Sequence, residues 1–235
     1  MERRSFLALA GAVALAAVSP TARAAVLAQY NFTTQGNVEN LTGVGDGFQA
    51  QVVAPGITAT NITDGSPGGP LIIEASKAAT APPDAPFLRV DRAALTATGA
   101  DTAVSSGAFV SFTVTPGAET DLTDLQFDAM RGGGATPRGY VVRSSADNFA
   151  TNLAAADLLT ARPVYTHVTV PLSGAQFQDL TAPIEFRLYA YAPAGGNSVD
   201  FDNITLNGTV VPEPAALGAL GLGGLGLLAG RRRRA

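Results

Sequence analysis

Between residues 26 and 210 the sequence repeats one pattern: short runs in which apolar and polar side chains alternate, each run closed by glycine or proline. Ile184-Glu185-Phe186-Arg187-Leu188-Tyr189-Ala190-Tyr191 is the clearest case, with Ile184, Phe186, Leu188 and Ala190 facing one way and Glu185, Arg187, Tyr189 and Tyr191 the other. Alternation with β-branched and aromatic enrichment predicts strands at 26–32, 109–114, 122–129, 140–144, 164–170, 184–191 and 199–210, with weaker ones at 48–53, 71–73 and 87–90. The stretches TDGSPGGP, TAPPDAP and MRGGGATP between them are loop chemistry, the last read as a hairpin loop. The helical candidate is short, Asn148 to Leu159. Regular short strands with Gly/Pro connections predict an all-β fold, an antiparallel β-sandwich of jelly-roll type. The chain has no cysteine, so no disulfide framework supports that sandwich and its stability must come from its core.

The two ends of the chain do not share this pattern. MERRSFLALAGAVALAAVSPTARA joins a charged start, an Ala/Leu/Val core and the small-x-small sequence Ala22-Arg23-Ala24, a secretory signal over residues 1–24 with cleavage before Ala25. Arg3-Arg4-Ser5-Phe6-Leu7 also resembles the twin-arginine export pattern, so both export routes remain open. At the other end, Val211-Pro212-Glu213-Pro214 precedes 16 uncharged residues, 215–230, and then Arg231, Arg232, Arg233 and Arg234. As a helix those 16 residues reach about 24 Å, short of a hydrocarbon layer of about 30 Å. The arginines set the orientation by the positive-inside rule and leave the domain outside. Pro212 and Pro214 keep Glu213 in an extended, accessible stretch at the membrane surface, as a membrane-embedded protease would require.

This order of proline-bracketed glutamate, short Gly/Ala/Leu helix and arginine cluster resembles the PEP-CTERM sorting signal, a family also labelled the ice-binding protein C-terminal domain. The resemblance spans residues 212–235. It implies a bacterial protein recognised by an exosortase through Pro212, Glu213 and Pro214, anchored transiently in the inner membrane by its helix and delivered to the cell envelope, cell surface or extracellular matrix, usually beside exopolysaccharide.

Removing Glu2, Arg3, Arg4 and Arg23 from the front, and Glu213 with its four arginines from the back, leaves 17 acidic and 8 basic residues in the domain at 25–211. Such a domain repels nucleic acid and anionic lipid. Nothing in it reads as reaction chemistry. There is a single histidine, His167, and no cysteine, Gly-x-Ser-x-Gly elbow, His-Glu-x-x-His pair or phosphate-binding glycine loop. A carboxylate pair for glycoside hydrolysis stays open, because its spacing belongs to the fold.

Two constellations read as binding features. Tyr165 and His167 share one strand face, and Arg187, Tyr189 and Tyr191 share another, offering aromatic and polar surface on which sugar rings stack. Ser198-Val199-Asp200-Phe201-Asp202-Asn203 resembles the last strand of carbohydrate-binding jelly rolls. That resemblance implies a structural calcium on Asp200 and Asp202, although the first strand here, Tyr30-Asn31-Phe32-Thr33, lacks the glutamate that usually completes the set. The expectation is therefore a non-enzymatic exported β-sandwich, a binding module for exopolysaccharide. A purely structural matrix protein is the alternative, and a polysaccharide hydrolase or lyase the outside one.

Overall fold

The computed structural model describes residues 24–32, 48–65, 72–76, 87–91, 97–107, 109–134, 136–160, 163–193 and 198–211. In chain order the elements are β1 (Ala25–Tyr30), β2 (Val52–Val53), β3 (Ile57–Ala59), β4 (Thr63–Asp64), β5 (Ile72–Ser76), β6 (Phe87–Asp91), α1 (Ala100–Ser106), β7 (Phe109–Pro116), β8 (Thr120–Arg131), β9 (Gly139–Ser144), β10 (Ala154–Asp157), β11 (Thr166–Pro171), β12 (Ile184–Tyr191) and β13 (Ser198–Val210). They form two antiparallel sheets packed as a sandwich. One runs β11-β8-β13-β1-β2, with β6 also paired to β13 and β5 to β6; the other runs β10-β9-β12-β7-β3, with β4 also on β7.

β13 is the spine of the first sheet. One side pairs with β8 along its length, from Val199↔Arg131 to Val210↔Thr120. The other side pairs first with β6, Ser198 to Phe201, and then with β1, Ile204 to Gly208. Between these halves the ladder slips, and Asn203 sits at φ 50°. A β-bulge of this kind adds one residue to one strand. It moves the inward positions from Val199 and Phe201 to Ile204 and Leu206, so all four reach the core.

The core is the two inner faces interdigitated. Tyr30 of β1 meets Phe112 of β7 with ring centroids 5.2 Å apart, and Phe127 of β8 meets Tyr140 of β9 edge-on at 5.1 Å. Each ring pair spans the two sheets, where aromatic contact adds about 0.5–1.5 kcal/mol to the burial itself. The Tyr30 hydroxyl is satisfied by the Thr60 carbonyl at 2.6 Å, and burial pushes its pKa well up.

Two sequence expectations are corrected here. The stretch 148–159 is not helical: Asn148 and Phe149 take left-handed φ of 57° and 60°, and Ala154–Asp157 pairs with β9 as an edge strand. Pairing with an available sheet edge outweighs the helix preference of three consecutive alanines. The Gly-rich segment after Arg131 is no hairpin, because β8 and β9 lie in different sheets and the segment crosses between them. The helix lies elsewhere, at Ala100–Ser106. The Thr102 hydroxyl accepts the Gly99 and Thr98 N–H groups at 3.0 Å each, and Gly107 at φ 66° ends it.

At Gly139 of β9 the edge strand β10 and Tyr191 of β12 come so close that a Cβ would fall on the Ala156 carbonyl oxygen and the Tyr191 hydroxyl. Backbone cannot yield there, so Gly139→Ala is expected to lower the unfolding free energy by about 1–3 kcal/mol, read as a shift of the urea midpoint at unchanged slope.

Candidate functional site

The outer face of the first sheet carries a polar row across three neighbouring strands. On β8 the residues Asp124, Gln126 and Asp128 alternate with the buried Leu125, Phe127 and Ala129. Their cross-strand neighbours complete them. His167 lies opposite Asp128, with Nδ1 2.8 Å from Oδ1, and the Asn203 amide donates to the other oxygen of the same carboxylate at 3.0 Å. Lower on the face, the Asn207 amide donates to Asp124 Oδ1 at 2.8 Å. The imidazole is 61% exposed, so Nε2 remains at the solvent end of the pair. Tyr165, half-buried, stands just before β11.

The outer face of the second sheet is closed at one end. Phe109, Val141, Tyr189 and Tyr191 form a second small core with Ala97 and Ala103, capped by α1. Tyr189 is 4% exposed and Tyr191 2%. The Tyr191 hydroxyl donates to Asp157 Oδ1 at 2.7 Å; burial first, and this carboxylate second, push its pKa well up. The expected open tyrosine face is therefore not what the fold presents: Tyr189 and Tyr191 lie under a helix, and Tyr165 and His167 belong to the opposite sheet. The strand alternation that placed these rings off the core side holds, but a polar-looking outer face was covered by a segment whose helix was not foreseen.

Arg187 lies at the open end of the same face, between the rings of Phe109 at 4.5 Å and Phe149 at 3.5 Å. It is paired with Glu185 at 2.8 Å. Burial works against its charge, yet hydrogen bonding, chiefly to Glu185, outweighs this and raises its pKa. Phe149 is held over it by the loop at 145–152. There the Asp147 carboxylate accepts the Ala150 and Thr151 N–H groups at 3.1 and 3.0 Å and the Thr151 hydroxyl as well, while Arg143 donates to the Phe149 carbonyl at 2.6 Å. Arg187 thus pins a loop to the sheet.

Asp200 and Asp202 point outward from β13 but are buried. The Ser198 hydroxyl donates to Asp200 at 2.8 Å, and the Asn203 N–H to Asp202 at 2.7 Å. On its other side, Ser198 offers its carbonyl to the fully buried Arg138 at 3.3 Å. Among the described residues no three His, Asp or Glu side chains gather as a metal site. Two carboxylates already engaged as acceptors fall short of the six to eight oxygens calcium takes. Arg138 and Asp128 were not singled out from sequence, and Asn203 only as part of the stretch 198–203. The polar period-two row Asp124-Gln126-Asp128 was the available signal, but which strands flank it is set only by topology.

Ala24 and Ala25 open the described chain, whereas Ala22, Pro212, Glu213, Pro214, the apolar run at 215–230 and Arg231 to Arg234 lie outside the described residues. Among the described residues no helix is long and apolar enough to cross a membrane.

Residues 210–234 match the PEP-CTERM protein-sorting motif. The chain therefore carries the sorting signal of an exported, cell-surface protein. No curated protein matches the chain. Among solved structures it is similar to a Stig cyclase, Fisc, from Fischerella sp. TAU, at 17% identity over 81% of this chain and 100% of that one, with a TM-score of 0.47. It is also similar to a family 29 carbohydrate-binding module, at 12% identity over 82% and 98% with a TM-score of 0.36. An adhesin domain of Lys-gingipain from Porphyromonas gingivalis matches at 12% over 79% and 99%, with a TM-score of 0.37. At these identities and scores nothing about this chain's chemistry follows from them.

The Asp147 loop gives a pH-dependent expectation. Its hydrogen bonds, the Thr151 hydroxyl foremost, hold the carboxyl below its ordinary value. A carboxyl lowered on folding stabilises the loop above its unfolded value of about 4, and that contribution is lost as pH falls through the folded value. Hydrogen exchange at the Ala150 and Thr151 amides should accelerate in that acid range beyond its intrinsic pH dependence, and Asp147→Asn should remove the transition.

Proposed function

We propose that the domain is a non-catalytic exopolysaccharide-binding module, exported, processed by an exosortase at its C-terminal motif and displayed at the cell surface or in the extracellular matrix. The sorting motif supports the destination. The observation that carries the binding reading is the polar row on β11, β8 and β13: Asp128 shared between His167 and Asn203, with Asp124 held by Asn207.

A glycan presents hydroxyls that both donate and accept. A carboxylate already anchored by an amide keeps lone pairs for a sugar hydroxyl, and its rotamer is fixed before the ligand arrives. His167 adds an exposed ring nitrogen, and Tyr165 stands two residues earlier, just ahead of the same strand. The sheet provides this array at a spacing of about 6.6 Å between successive outward residues, which is set by two strand residues and suits an extended polymer.

A hydrolytic reading would take Asp128 and Asp202, which lie opposite each other in the ladder. Asp202 is buried and accepts the Asn203 N–H, while both oxygens of Asp128 already serve His167 and Asn203. Neither is presented as an acid to a glycosidic oxygen in the way a two-carboxylate mechanism needs.

The test is affinity electrophoresis of residues 25–211 through the host's own exopolysaccharide. Asp128→Ala releases both His167 and Asn203, and the loss of a charge-assisted contact of about 1.5–3 kcal/mol predicts a retention constant weakened by at least tenfold. His167→Ala should weaken it less, and both variants should keep wild-type thermal unfolding. Retention equal to wild type in the folded Asp128→Ala protein would transfer the conclusion to a purely structural matrix role.

A further inference from the structure

The two junctions that lead to the predicted processed segments meet at one end of the sandwich. Ala25, the first residue of β1, pairs with Gly208 near the end of β13. β13 closes at Val210, and the Val211 N–H still donates to the Glu119 carbonyl at 2.8 Å. The last pairs, Thr209↔Asp121 and Val210↔Thr120, are braced from the side. Thr120 is fully buried and exchanges both backbone hydrogen bonds with Leu180, at 3.0 and 2.9 Å, while the Asp179 N–H donates to the Asp121 carboxylate at 2.8 Å. Val210 packs against the main core. No spacer follows, because Pro212-Glu213-Pro214 begins at the next residue. An extended chain covers at most about 3.6 Å per residue, so Glu213 stays within about 7 Å of Val211.

We propose that this end of the sandwich is the surface presented to the membrane-embedded sorting protease, and that opening of the terminal β8–β13 pairs controls access to the motif. The inference rests on the exosortase reading above. The bond-breaking belongs to the protease: its nucleophile takes the carbonyl carbon of one backbone amide, the amine departs with the tail, and water releases the acyl group as the domain's new carboxylate. The sandwich decides how often that amide stands clear of the folded body. Cleavage of a site abutting folded structure tracks the population of the locally opened form.

The experiment follows tail loss from the full-length precursor by pulse-labelling and intact mass in a host that has an exosortase. Two variants bracket the mechanism. A six-residue Gly/Ser insertion between Val211 and Pro212 leaves every described contact in place and should speed processing by about tenfold, by removing the need to open the ladder. Asp121→Cys with Thr209→Cys joins directly opposed residues, whose Cα separation of about 4.5–5.5 Å suits a disulfide. Its oxidised form should be processed at least about tenfold more slowly than its reduced form, the proper reference because both lack the Asp121 carboxylate that accepts the Asp179 N–H. The reduced form also serves as the folding control. If the insertion variant is processed at the wild-type rate, or the oxidised pair at the rate of its reduced form, opening of the ladder is not the control and the inference is wrong. A wild-type precursor that keeps its tail in that host removes the exosortase reading itself, and this inference with it.

Discussion

The bulge at Asn203 is the constraint on which both sides of the sandwich depend. Strict alternation from Val199 would place Thr205 and Asn207 in the core and Ile204 and Leu206 in solvent, which burial energetics forbids at roughly 1.5–3 kcal/mol per large apolar side chain. One residue inserted at a left-handed position, where asparagine is tolerated, corrects the parity. Val199, Phe201, Ile204 and Leu206 then share the core, and Asp200, Asp202, Thr205 and Asn207 share the outside. The bulge also turns the Asn203 amide onto Asp128. The device that closes the core thus also helps assemble the polar row.

The two outer faces are handled in opposite ways. On the second sheet, Phe109, Val141, Tyr189 and Tyr191 are too apolar to leave wet, and a seven-residue helix with Ala103 against them removes the patch from solvent. A helix of that length has little stability of its own and exists because it docks. On the first sheet, the β11–β8–β13 row is polar and mutually hydrogen-bonded; Asp124, Asp128 and Asn207 keep partial exposure and His167 and Asn203 are exposed, whereas Asp200 and Asp202 further along β13 are buried. The exposed part of that row is made by Asp124, Gln126 and Asp128 of β8 with His167, Asn203 and Asn207 beside them.

That division explains what was legible beforehand. The strand 184–191 and its inward set Ile184, Phe186, Leu188 and Ala190 follow from alternation alone, as do most of the long strands, because period-two patterning is a local property. The fate of an outward face is not local. Tyr189 and Tyr191 carry the same sequence signature whether a sugar, a helix or water lies on them, and the covering segment is more than eighty residues earlier in the chain. The same holds for Asp128, whose role is defined by His167 thirty-nine residues away and Asn203 seventy-five residues away. The short strands β3 and β4 were missed because two or three residues carry too little pattern to stand out from a loop, and β10 because its three alanines read as helix within 148–159.

Charge then narrows what the open row can accept on the reading proposed above. With 17 acidic and 8 basic residues between 25 and 211, the domain carries a field of one sign. A uronate-rich polymer would bring further negative charge to Asp124 and Asp128, at distances inside the Debye length of about 8–10 Å where salt does not screen it. The single histidine offers one positive charge at most, and it already faces a carboxylate. A neutral polymer meets no such repulsion, because its hydroxyls donate to the carboxylates and accept from the amide and imidazole N–H groups. Hydroxyl-rich, uncharged chains are therefore the class whose chemistry this face complements, and acidic chains are the class it turns away.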